Sequence, residues 1–429
     1  MQKYKWSYYE TRLRFINWII FDMHQEYKPQ AERQTACGLP KITALIFAVA
    51  AGLSVANIYF AQPLLDSIAQ DFGISPAVIG LVITLTQIGY GIGLIFIVPL
   101  GDIVDRRRLI VGQGILSAVA LVFVATARTE AVLFTGMAAI GLLAVVVQVL
   151  VAFAATMATP TERGKAVGMV TSGVVTGILG ARFIAGLLAD WGGWRAVYMA
   201  SAVLTLVMVG ALMRVLPRQV SPSSGDSYLA TLKSVPSLFL RDQILLVRGI
   251  FALLIFAAFS TFWTALVLPL SAPPFSYSHT QIGLIGLVGM AGAFAATGAG
   301  RFVDRGFGQW TTGFSLILLL LSWGLIALLP LSITALLIGV VLLDVAVQAV
   351  HVTNQSIIFD LYPAARSRLV GGYMVFYSTG SAGGAIASTA IYASAGWSGV
   401  SMLGAAFSAS ALLVWVFTRG RLSKARPNP

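Results

Sequence analysis

From Ile42 onward the chain is a succession of apolar stretches about 20 residues long, the length of helix that crosses roughly 30 Å of hydrocarbon, separated by short polar breaks. Twelve of them are counted, at 42–63, 77–99, 109–127, 131–155, 165–189, 195–215, 244–270, 280–299, 311–330, 332–355, 370–394 and 397–417. The expected fold is therefore an all-α membrane protein of twelve transmembrane helices. Composition agrees: 58% of the 429 residues are hydrophobic and 10% are charged, against about 25% charged in soluble domains, which excludes a water-soluble globule. One cysteine, Cys37, gives no disulfide framework, and with His24, His279 and His351 it makes no convincing zinc site, so no metal or cofactor is expected.

Residues 1–41 hold seven Lys/Arg and one apolar run, Phe15 to Phe21, too short to cross a bilayer and followed by Asp22, His24, Glu26 and Lys28 rather than a cleavage site. They are expected to form a cytoplasmic extension. With the N-terminus inside, 25 of the 28 Lys/Arg fall on one side of the membrane. The other side receives Arg128 and Arg195, and Arg182 lies within a span. Cytoplasmic loops retain Lys/Arg, so both termini are expected in the cytoplasm of a cell whose plasma (inner) membrane holds the chain. The same bias accounts for the net charge of +12 without a nucleic-acid partner.

Sliding the sequence against itself by 203 residues superimposes Ile79-Gly80-Leu81 on Ile282-Gly283-Leu284, Pro160 on Pro363, Arg163 on Arg366, Gly177 on Gly380, Gly193 on Gly396 and Trp194 on Trp397. Two copies of a six-helix unit imply parallel halves related by an axis along the membrane normal, with a cavity between them. The expected organisation is an extension (1–41), a first bundle (42–216), a cytoplasmic linker (217–243), a second bundle (244–418) and a basic tail (419–429).

After the second span comes Gly101-Asp-Ile-Val-Asp105-Arg106-Arg-Arg108, and after the eighth comes Gly300-Arg-Phe-Val-Asp304-Arg305. On these paired signatures the chain resembles the major facilitator superfamily. The resemblance implies two six-helix halves with pseudo-two-fold symmetry and makes Gly101, Asp105, Arg106, Gly300, Asp304 and Arg305 a conformational latch. Topology alone would explain Arg106 to Arg108, but not the Gly and Asp. The family's usual glycine inside the basic cluster is absent. The run Asn57 to Leu65 resembles a bacterial branch grouped with drug and metabolite exporters; within it Tyr59 and Gln62, with Asp66 beyond, are spaced to share one helix face. Gly173, Gly177, Gly180 and Gly186 resemble the antiporter motif of fifth helices in proton-coupled exporters and are expected to form a close helix-packing face. Here the sequence departs from the motif, with Ile178 in place of its proline and Met137 in place of the fourth-helix arginine.

Arg182, Asp344 and His351 are ionisable groups inside spans, each costing several kcal/mol in hydrocarbon, so each should face protein or a watered cavity. Asp344, Gln348, His351 and Gln355 form one polar stripe along the tenth helix and should line the transport path. The 203-residue shift sets Gly141 opposite Asp344 and Ala385 opposite Arg182, so neither charge belongs to the duplicated scaffold. Arg182 can bind substrate or snorkel to the surface. Asp344 can carry a proton or serve as a static ion-pair partner of Arg182, and His351 can share either task. Tyr59, Gln62, Gln148, Trp263 and Tyr377 complete the expected substrate cavity, with Phe262 and Tyr373 as further aromatics.

The expected function is proton-coupled export of small amphipathic drug-like compounds or metabolites by alternating access. The alternatives are an importer or uniporter of organic anions or sugars, and a non-transporting membrane sensor using residues 1–41. An enzyme would need a nucleophile with its base or a metal cluster, and no phosphate-binding loop supports an ATP-driven pump. The expected partners are a small-molecule substrate, protons and the bilayer, with the chain a monomer.

Overall fold

In a bilayer core no water is present to bond backbone groups, so each apolar stretch has to close its hydrogen bonds within a helix. A computed structural model of the chain describes residues 40–159, 162–217, 228, 232, 237–239, 241–295, 305–361 and 366–424. Among the described residues the protein is all-helical, with helical segments numbered α1 to α12. They are α1 (Lys41–Phe72), α2 (Leu81–Phe96), α3 (Arg106–Ala125), α4 (Glu130–Met157), α7 (Gln243–Ser271), α8 (His279–Ala295), α9 (Gly308–Ile326) and α10 (Ile333–Leu361). The remaining four lie in two double-length helices, Arg163–Val215 (α5 and α6) and Arg366–Lys424 (α11 and α12).

Each double-length helix is broken by one glycine. Gly193 has φ 75° and Gly396 has φ 59°, a left-handed backbone that costs glycine nothing. The chain reverses there. Asp190 at the end of α5 meets His279, whereas Met213 near the end of α6 accepts a hydrogen bond from Arg107 at the opposite end of the bundle. Likewise Trp397 Nε1 donates to Ile326 O at the top of α12 and Trp415 Nε1 to Gln309 O at its bottom.

The duplication is visible in the backbone. Gly193 and Gly396 differ by 203 positions, and so do the turn residues Gly73 (φ 68°) and Ser276 (φ 48°). Packing repeats with them. Gly89 lies against the Ala138 carbonyl where α2 crosses α4, as Gly292 lies against the Val341 carbonyl where α8 crosses α10. Gly177 lies on Gly52 of α1, as Gly380 lies on Leu253 of α7.

Three expectations need correction. First, the first pass continues past Pro63 to Phe72, with a 3-10 turn at Gln62–Leu64, because proline offers no N–H to the helix ladder. Second, Arg248, counted with the cytoplasmic Lys/Arg although it lies within the span 244–270, belongs to the bundle interior. Asp242 caps α7 by accepting from Ile244 N at 2.7 Å, which puts Arg248 inside the helix, fully buried, with Nη1 donating to Thr312 at 3.1 Å and Asn354 at 3.0 Å. Third, the four glycines of α5 do not share one face: Gly173 and Gly177 pack on Ala48 and Gly52 of α1, whereas Gly186 packs on the His279 carbonyl of α8. Nine residues at 100° each turn Gly186 to the side opposite Gly177. Gly180 only touches Met290 at ordinary distance.

Several hydrogen bonds between described residues join the two halves from the middle of the bundle to the end away from Lys41 and Lys424. They link Tyr59 to Tyr377, Thr84 to Ala382, Gln87 to Ser378, Ala77 to Thr389, and Asp66, Ser67 and Asp190 to the start of α8. The bundle is closed at that end. Large apolar side chains such as Leu45, Val207, Phe314 and Phe417 stand on the outer surface, where lipid would meet them.

Candidate functional site

Arg182 and Asp344 are both buried between helices, 2% and 1% exposed, so neither points outward to lipid. Arg182 does not snorkel. Its guanidinium carbon stacks 3.9 Å over the Trp263 ring, with Tyr59 and Phe259 at 5.3 and 5.5 Å, its Nε donates to Gln62 Oε1 at 2.9 Å, and its Nη1 donates to the Ile178 carbonyl at 3.2 Å. Asp344 lies within electrostatic range of Arg182 but makes no N–O contact with it within 4.0 Å. The static ion pair is absent.

Both charges flank α8. Gly283 and Gly286 receive Arg182 of α5, and Gly289 and Gly292 receive Asp344 of α10. In the first half the equivalent seam has Gly141 packed on the Thr86 carbonyl. The second half exchanges the roles: Asp344 stands in Gly141's place and Gly289 in that of Thr86. A carboxylate thus enters the helix crossing opposite a glycine. Both Asp344 oxygens, Arg182 Nη2 and Trp263 Nε1 are buried and meet no strict hydrogen-bond geometry, although the Trp263 indole N–H stands beside the Asp344 carboxylate. Unsatisfied polar atoms of this kind cost roughly 1–3 kcal/mol apiece, more when charged, and converge where a ligand or ion can satisfy them.

An aromatic layer adjoins them. The hydroxyls of Tyr59 and Tyr377 are hydrogen-bonded across the two halves, Phe256 stacks edge-on to Tyr377 with centroids 4.1 Å apart, and Gln148 Nε2 donates to Tyr90 OH at 3.3 Å. His351 is held by Tyr373 OH at 3.0 Å and by the edge of Phe256. Gln348 and Gln355 are half-buried farther along the same stripe of α10. Phe262 packs edge-on to Trp263. Tyr90, Phe256 and Phe259 were absent from the sequence-derived set; their faces are apolar like any packing face, and only the fold shows which of them meet.

At the end nearer the termini, Asp105 caps α3 by accepting from Arg107 N at 2.9 Å, and Arg106 donates to Gly101 O at 2.9 Å and Thr156 Oγ1 at 3.1 Å. These contacts stay within the first half. Arg305 is exposed, and Gly300 and Asp304 lie outside the described residues, as do residues 1–39 and most of 217–243.

Residues 47–331 and 249–429 match the family model of the Major Facilitator Superfamily. The chain belongs to the major facilitator superfamily. Superfamily relatives include the putative transporter YgaY of Escherichia coli, 46% identical over 371 residues that cover 86% of this chain and 94% of that protein. A probable transporter of Streptomyces coelicolor is 32% identical over 380 residues, 88% of this chain and 86% of its own. Among solved structures of the fold, a bacterial homologue of the human lysosomal transporter Spinster, inward-facing and unoccupied, matches with a TM-score of 0.75 at 16% identity, covering 90% of this chain and 98% of that one. The protein is therefore a multi-pass membrane transporter of the superfamily type, binding a small molecule within the membrane, and not an enzyme.

Proposed function

We propose that this superfamily member is a proton-coupled exporter of small amphipathic compounds, residing in the plasma membrane with both termini cytoplasmic. The observation that carries this reading is Asp344, a buried carboxylate beside the Trp263 indole and within electrostatic range of Arg182 without a salt bridge to it. A carboxyl held this way binds a proton when the site opens to one side and gives it up when it opens to the other. Trp263, Tyr59 and Phe259 offer apolar faces, and Gln62, Gln148 and the tyrosine hydroxyls offer polar edges, a combination suited to amphipathic molecules.

With the Lys/Arg bias as the guide to orientation, the closed end faces outward, which supports loading of a compound from the cytoplasm. Gly101, Asp105 and Arg106 would fasten the cytoplasmic side in the opposite state, together with Gly300, Asp304 and Arg305.

Reconstituted protein in proteoliposomes tests the reading. An imposed proton gradient should drive uphill flux of an amphipathic probe such as ethidium, and Asp344→Asn should abolish uphill flux while leaving downhill exchange. Flux indifferent to the gradient in both proteins would defeat proton coupling. A second reading, uptake or facilitated passage of an organic anion, is favoured by the unpartnered Arg182 Nη2. It predicts saturable benzoate uptake that Arg182→Ala removes and Asp344→Asn spares.

A further inference from the structure

At the closed end, His279 at the start of α8 in the second half is held between two carboxylates of the first half. Its Nε2 lies 3.1 Å from Asp66 Oδ1 and 2.8 Å from Ser67 Oγ on α1, and its Nδ1 lies 3.1 Å from Asp190 Oδ1 at the end of α5. Ionised carboxylates only accept hydrogen bonds, and a neutral imidazole has one N–H and one lone pair. Only the doubly protonated ring can donate to both acids at once; in the neutral ring one nitrogen would turn its lone pair on a carboxylate.

Asp190 makes two further bonds across the halves, accepting from His279 N at 3.1 Å and from Thr280 N at 2.8 Å. It thereby caps the N-terminus of a helix that belongs to the other half, where a negative charge is favoured by the exposed amides and the helix dipole. Gly186 allows this approach: a Cβ there would stand 2.1 Å from the His279 carbonyl.

We propose that His279, Asp66 and Asp190 form a proton-operated outer gate, in which the imidazolium clamps the two halves shut and its deprotonation releases them. The halves separate along this seam whenever the site opens outward, so opening removes both carboxylates from the ring together. Nothing in this requires Asp344 or a particular substrate, and the gate therefore stands apart from the coupling and export reading.

The groups facing the ring are Asp66 and Ser67 from α1, Asp190 from α5, and Ser278, Thr280 and Gln281 on its own segment. Of the other charges at this end, Asp71 and Arg195 are bonded to each other, and Arg128 and Glu130 lie at the turn between α3 and α4. Hydrogen bonding to Asp66 foremost, and Asp190 with it, raises the His279 pKa above its ordinary value despite partial burial. Bonds from Thr280, Ser278 and His279 hold Asp190 down at about 2 against the opposing effect of burial.

The sign follows from linkage. A group whose pKa is higher in the closed state stabilises closure fully below its open-state value, near 6.5 for a free histidine, and loses that contribution as pH rises through the closed-state value. Asp190 stays ionised until the pH falls toward about 2, so its bonds to the start of α8 persist in acid of the ordinary range. Each unit of difference between the two histidine values changes the closed-to-open ratio about tenfold.

The test is pulsed electron resonance on the full chain in nanodiscs, with spin labels at Ser75→Cys and Ser394→Cys, exposed positions at the closed ends of the two halves, and Cys37→Ser to remove the native thiol. Between about pH 6 and about pH 9 the wild-type distances should shift from a short, narrow population toward a longer one. His279→Gln should remove the pH response, and His279→Arg should keep the short population throughout. Distances unmoved by pH in the wild type, or a His279→Gln protein that responds unchanged, overturns the proposal. His279→Arg following the wild-type pH response would also overturn it.

Discussion

Gly289 lies directly against the carboxylate of Asp344: a Cβ built on it would stand 2.0 Å from Oδ2 and 3.1 Å from Trp263 Cζ2. A methyl group there meets the tip of a side chain, which can rotate away, so Gly289→Ala should leave folding nearly intact while moving the acid off its position. At Gly141 the equivalent atom would stand 1.8 Å from the Thr86 carbonyl oxygen, which is backbone and cannot yield. Gly141→Ala should therefore cost about 1–3 kcal/mol or more of stability through overpacking. Thermal unfolding and flux, measured on both variants, separate the two effects. Gly289→Ala should lose transport at a near-normal melting temperature, and Gly141→Ala should melt early.

Arg182 serves by shape as well as charge. Its plane stacks at 3.9 Å on Trp263 while its Nε reaches Gln62, and an ammonium cannot do both. A desolvated cation–π contact contributes about 0.5–2 kcal/mol, so Arg182→Lys should weaken probe binding by about 2- to 30-fold. Trp263→Leu should weaken it comparably, and combining the two should add little, because they remove the same contact. Equal binding by the Lys variant and the wild type would show that charge alone suffices.

The scaffold was legible because the bilayer enforces it. Span length, the Lys/Arg bias and the 203-residue register all reflect constraints that act on the chain locally, and the register persists down to the left-handed turns at Gly73 and Ser276. Arg182 and Asp344 stood out because charge inside a span is costly. The partners did not stand out. Tyr90 is one aromatic among many until α2 and α11 bring it to Tyr377, with ring centroids 6.4 Å apart. Arg248 follows a polar linker and so groups by position with the topological cations, although it already lies inside the span 244–270 and is buried there. His279 sits just outside a span, where an ionisable group attracts no notice, and its role depends on α1 and α5, more than 80 residues away in sequence.

Tyr59 and Tyr377 join the halves through a direct hydroxyl–hydroxyl hydrogen bond near the midplane, both side chains being buried. Removing one hydroxyl leaves the other without its partner in a desolvated place; removing both leaves two matched apolar rings. Tyr59→Phe and Tyr377→Phe should each shift the same spin-labelled distances toward the open population, and the double variant should be no more open than either single one. The coupling read from the four proteins should be about 0.5–1.5 kcal/mol. Strictly additive shifts would mean that the hydroxyls act independently.

Asp105 distinguishes a helix cap from a charge-based latch. Its Oδ1 accepts from Arg107 N at 2.9 Å, whereas its closest ion-pair contact, Arg108 Nε at 3.9 Å, belongs to a side chain 85% exposed. An exposed pair of that kind adds little stability, so in this state the carboxylate acts chiefly through the backbone amide. Asn caps nearly as well as Asp, and Ala does not cap at all. Asp105→Asn should keep wild-type stability, and Asp105→Ala should lose about 1 kcal/mol. Flux then reports on the opposite state, in which the proposed latch needs the charge: Asp105→Asn, well folded, should transport several-fold more slowly. If Asp105→Asn matches the wild type in both stability and flux, capping is all that this residue contributes.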